Sequence, residues 1–134
     1  MNTLSYRCIE DNGLSFELLV DGQPLGALVG ARGIAIPYWI VENDLPYLPP
    51  HGEPHDPEIR IVCVCSCGEY GCCHTRCRMI REGDEIVLRD FDLDAGPEGT
   101  RREFRFSRPN FEAVIGEIIH RAREQRVPRA VRRT

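Results

Sequence analysis

The stretch Cys63-Val-Cys65-Ser-Cys67-Gly-Glu-Tyr-Gly-Cys72-Cys73-His74-Thr-Arg-Cys77 holds six of the seven cysteines of a 134-residue chain. Its flanks, Glu58 to Cys67 and Cys72 to Ile80, have the apolar and β-branched content of strands, and Gly68 and Gly71 let the chain reverse between them. The pattern predicts a β-hairpin. With Cys67 opposite Cys72 across the Gly-Glu-Tyr-Gly loop, antiparallel pairing sets Cys65 opposite His74 and Cys63 opposite Arg76. Side chains alternate along a strand, so Cys65, Cys67, Cys72 and His74 share one face. Three thiolates and an imidazole match a closed, structural tetrahedral zinc site. A one-residue slip exchanges some of these roles and makes Cys77 or Cys63 the fourth ligand in place of His74. The opposite face holds Val62, Val64, Ser66, Cys73, Thr75, Cys77 and Met79, on which Cys73 and Cys77 read as small buried hydrophobes.

Outward from the hairpin, Arg81-Glu82-Gly83-Asp84 turns the second strand into a third at Glu85 to Phe91, which makes a β-meander. A polar loop, Asp92 to Gly99, leads to a further strand at Arg102 to Phe106. Ser107 is a good N-cap, Pro109 is tolerated in a first helical turn, and Phe111, Val114, Ile115, Ile118, Ile119 and Ala122 recur at amphipathic spacing. The spacing predicts a helix over 107–126 whose apolar stripe packs on one face of an antiparallel sheet. Upstream, Leu4 to Ile9 and Leu14 to Val20 suit a hairpin turned by Asp11-Asn12-Gly13, and Leu25, Leu28 and Val29 suit one helical turn. Pro37 argues against a central strand at Ile34 to Val41. The fold class is α+β in a single domain, 1–134. It divides into an N-terminal hairpin and helical turn (1–41), a proline-rich loop (42–57), the meander with the cysteine cluster (58–106), the helix (107–126) and a basic tail (127–134).

Composition narrows the chemistry. All 17 basic residues are arginine, which removes lysine Schiff-base catalysis and the Walker lysine together. Residues 1–58 carry Arg7 and Arg32 against nine acidic side chains, whereas residues 59–134 carry fifteen arginines against twelve, so the two parts attract. The start of the chain shows no signal-peptide pattern, and no stretch approaches the roughly eighteen apolar residues of a membrane span. A cytoplasmic protein without membrane insertion is the expectation. Clustered cysteines in that compartment serve as metal ligands or redox groups rather than as a disulfide framework.

Other constellations are weaker. Asp90-Phe-Asp92-Leu-Asp94 resembles the start of a calcium loop, but Ala95 and Arg101 stand where glycine and glutamate are needed. His51, Glu53, His55 and Asp56 form a second ligand set, within the proline-rich loop. Tyr38 and Trp39 suit core packing. Gly26 to Gly33 lacks the dinucleotide spacing, no serine sits in a G-x-S-x-G elbow, and no C-x-x-C occurs.

Cys65-Ser-Cys67-Gly-Glu-Tyr-Gly-Cys72, followed by Glu85-Ile-Val-Leu-Arg-Asp-Phe91 and Phe104-Arg-Phe-Ser-Arg-Pro-Asn-Phe111, resembles a group of small uncharacterised actinobacterial proteins. They share a C-x-C-G-x-x-G-C core, and some carry the label oxidoreductase. The resemblance spans roughly residues 59 to 120 and matches Cys65, Cys67 and Cys72; Cys63, Cys73, His74 and Cys77 depart from its pattern. The expected role is a non-catalytic, zinc-stapled binding or regulatory protein that contacts another protein. The alternatives are a thiol- or metal-dependent redox enzyme and a nucleic-acid-binding zinc protein using the arginine tail, against which the net charge of -4 weighs.

Overall fold

A computed structural model describes residues 1–10, 13–30, 35–38, 59–64, 74–91 and 101–126. The described elements run β1 (Leu4–Glu10), β2 (Leu14–Val20), β3 (Gln23–Pro24), α1 (Leu25–Leu28), β4 (Ile36–Pro37), β5 (Ile59–Val64), β6 (His74–Glu82), β7 (Glu85–Arg89), β8 (Glu103–Ser107) and α2 (Arg108–Arg126). The α+β class and the C-terminal helix are as the periodicity implies.

The strands form two four-stranded antiparallel sheets rather than one. In the first, β1 and β2 pair from Leu4 opposite Val20 to Glu10 opposite Leu14. Asp21 and Gly22, with φ of 52° and 82°, make the tight turn that returns β3 along β2. That left-handed pair is the conformation an Asp-Gly hairpin turn adopts. Ile36–Pro37 pairs beside Ser15 and Phe16 on the same side of β2 as β3, and the proline is tolerated because the segment lies at the edge of the sheet.

The second sheet is the predicted meander, β5-β6-β7-β8. Gly83, at φ 60°, turns β6 into β7. Alternation along β6 is visible in burial: Thr75, Cys77 and Met79 are buried while Arg76, Arg78 and Ile80 are half-exposed. The sheets meet at a parallel bridge between Asn2 and Phe106, where the Asn2 N–H donates to the Arg105 carbonyl at 2.7 Å.

Helix α2 follows β8 without a loop. The Ser107 hydroxyl accepts from the Asn110 N–H at 3.2 Å, and the Arg108 N–H donates to the Asp84 carbonyl at 2.7 Å, so donors of the first turn are satisfied. Phe111, Val114, Ile115, Ile118 and Ala122 are all buried in one cluster with Cys77, Met79, Ile86, Leu88, Phe104 and Phe106 of the second sheet and with Leu4, Phe16, Leu18 and Val20 of the first. Removing such side chains from water at about 25 cal/mol per Å² is the main force that holds helix and sheets together. The rings of Phe106 and Phe111, with centroids 6.1 Å apart, tie the second sheet to α2, and Phe91 and Phe104 meet at 5.7 Å.

Candidate functional site

The arms of the cysteine hairpin are present as β5 and β6, but their register differs from the expected one. Val64, not Cys65, stands opposite His74, and Thr75, not Arg76, stands opposite Cys63. The register shifts between Ile61 and Cys63, so that Ile61 opposes Arg76 and Arg60 opposes Cys77. A bulge that adds one residue to one arm offsets every position beyond it. This pairing replaces the alternation that had joined His74 to Cys65.

Cys65, Cys67, Cys72 and Cys73 lie outside the described residues, as do Trp39, the His51, Glu53, His55 and Asp56 set, Asp92 and Asp94, and the basic tail. Cys63 is the fifth residue of β5, and His74 opens β6. Cys77 is part of the hydrophobic core at 2% exposure, the environment expected of a small buried hydrophobe. Among the described residues, no three histidine, cysteine or acidic side chains stand together as a cation site. The chemistry of the donor set nonetheless suits zinc: the chain between the paired positions Val64 and His74 carries Cys65, Cys67, Cys72 and Cys73, soft thiols of the kind that hold this ion.

Thr75, beside Cys63 in the register, is fully buried, and its hydroxyl has no hydrogen-bond partner among the described residues. Asp90, the first acid of the calcium-like segment, is engaged differently: its carboxylate lies 3.8 Å from the Nε atoms of both Arg78 and Arg89. Those two arginines are directly opposed across β6 and β7, and the shared carboxylate offsets the repulsion that like charges suffer there. At the other end of this face Arg105 bonds Glu82, Glu103 and Glu85, the first of these contributing most to a guanidinium pKa raised above its usual value.

Two polar constellations escaped the sequence reading. Asn110 accepts from the Leu4 N–H at 2.7 Å and donates to the Leu4 carbonyl at 3.0 Å, clamping β1 to α2. The Tyr6 hydroxyl donates to Glu117 at 3.0 Å, and the Arg121 guanidinium lies 5.9 Å over the Tyr6 ring. Burial first, and the Glu117 contact second, raise the Tyr6 pKa. The only sequence signal for this group was the i, i+4 spacing of Glu117 and Arg121 beside the apolar stripe. Buried Glu17 is likewise paired with Arg7 across the strands. Tyr38 packs against the core, as anticipated for an aromatic ring at that position.

No protein family, curated protein or solved structure matches this chain.

Proposed function

We propose that the chain is a metal-stapled binding module: zinc held at the end of the β5–β6 hairpin fixes the shape of a domain that acts through contacts with another protein. The observation that carries this reading is the pairing of Val64 with His74. Adjacent strands lie about 4.8 Å apart, so the connection that carries Cys65, Cys67 and Cys72 leaves the sheet at Val64 and rejoins it at His74 one strand spacing away. His74 or Cys63, at the base of the same connection, supplies the fourth ligand. A closed site of this kind stabilises the fold and leaves no open position for substrate.

The test is metal analysis of the purified protein beside a Cys67→Ser variant. The wild type is expected to carry one zinc per chain, and the variant to lose both the metal and cooperative unfolding. Structural zinc sites contribute on the order of 10 kcal/mol to folding. Full zinc occupancy and an unchanged melting curve in the variant would refute the ligand set. Thiols that oxidise readily in the metal-loaded protein would favour redox chemistry instead.

A further inference from the structure

The main-chain groups of β1 have directions set by the contacts at its start. The Asp21 N–H donates to the Thr3 carbonyl at 2.9 Å, so odd-numbered residues turn their N–H and C=O toward β2 and even-numbered residues turn theirs to the other edge. That outer edge begins closed. Asn2 is bridged to β8, and Asn110 takes both main-chain groups of Leu4. Beyond Leu4 it presents Tyr6, Cys8 and Glu10, and among the described residues nothing pairs with their outward N–H and C=O groups. Arg7, Cys8 and Glu10 are exposed, and Tyr6 and Ile9 are half-buried.

An open edge is a template for another strand. We propose that a second copy of this chain occupies it, with β1 antiparallel to β1 about a twofold axis at Cys8, so that the N-terminal sheet runs on through both molecules. Register and charge favour a second copy. Outward-facing residues must oppose one another, which sets Cys8 against Cys8, Tyr6 against Glu10 of the second copy, and Arg7 against its Ile9. The small thiols meet where side chains share the axis. Glu10 of each copy arrives beside Tyr6 of the other, whose hydroxyl donates to Glu117 at 3.0 Å and whose ring carries the Arg121 guanidinium at 5.9 Å, so that Arg121 faces Glu10 as well as Glu117. Arg7 keeps Glu17 as its partner. Moving the axis to Arg7 would oppose two arginines, and moving it to Ile9 would leave Tyr6 unpaired. The register centred on Cys8 forms roughly six main-chain hydrogen bonds. So short a contact makes a weak, reversible dimer.

Sedimentation equilibrium of the full chain in reductant, up to about 1 mM, is expected to show the 15.3 kDa chain in concentration-dependent equilibrium with a species of twice its mass. Cys8→Ser should retain the dimer. Cys8→Pro removes an N–H that the chain's own sheet does not use, and it should weaken association at least tenfold without loss of the folded state. Glu10→Arg should weaken it by a similar factor, and Glu10→Arg combined with Arg121→Glu should recover it. If Cys8→Pro lowers the melting temperature, the charge-reversal series alone decides. A wild-type monomer over the whole range, or a dimer indifferent to these substitutions, overturns the proposal.

Discussion

Replacing Asn110 by alanine removes the clamp that ties the first strand to the C-terminal helix. The Asn110 amide satisfies both the N–H and the C=O of Leu4, at 2.7 and 3.0 Å. Leu4 itself is 2% exposed, and among the described residues its outward edge has no strand to take over. Leaving a buried main-chain group unpaired costs about 1–3 kcal/mol, less where water can reach it. Asn110 is half-buried, which places the two groups together near ~2 kcal/mol. Unfolding entropy of about 2.1 cal/mol/K per residue over 134 residues converts this to a fall in melting temperature of about 7 °C. Thermal and urea unfolding followed by circular dichroism would measure it, with an unchanged urea m-value expected because the exposed surface is the same. Asn110→Ala within about 0.5 kcal/mol of wild type, the range of an ordinary surface change, would refute the clamp.

Two further outcomes test other polar groups, beside the metal and dimer experiments above. Asp21 accepts from the Asn2 side chain and the Thr3 N–H, which hold its carboxyl below the ordinary 3.8. A lowered folded pKa contributes stability that is present above the unfolded value and is lost as pH falls through the folded one. The stability gap between wild type and Asp21→Asn should therefore narrow on acidification below about pH 4, and a gap independent of pH would count against these bonds. Thr75→Val replaces an unpartnered, fully buried hydroxyl by an isosteric methyl and is expected to stabilise by about 1 kcal/mol. A loss of stability in urea unfolding would mean that the hydroxyl has a partner in solution.

Much of this fold is written in local pattern. The helix that buries Phe111, Val114, Ile115, Ile118 and Ala122 follows from their spacing. The burial of Thr75, Cys77 and Met79 against half-exposed Arg76 and Arg78 follows from strand alternation. The positive-φ position at Gly83 marks the turn that Arg81-Glu82-Gly83-Asp84 announces in the sequence. Each of these depends on residues within one or two turns of chain, which is why the sequence discloses them.

The candidate site was legible as composition and not as geometry. That clustered thiols invite zinc is a property of sulfur and needs no fold. Which residue stands opposite His74 depends on a bulge in β5, and the sequence around Val62 carries no glycine or proline to announce it. The same holds for the division into two sheets, the clamp of Asn110 on Leu4 more than a hundred residues away, and the edge that β1 leaves unpaired among the described residues. These features belong to contacts between distant segments, whose geometry is chosen by the packing of the whole core and not by the residues that make them.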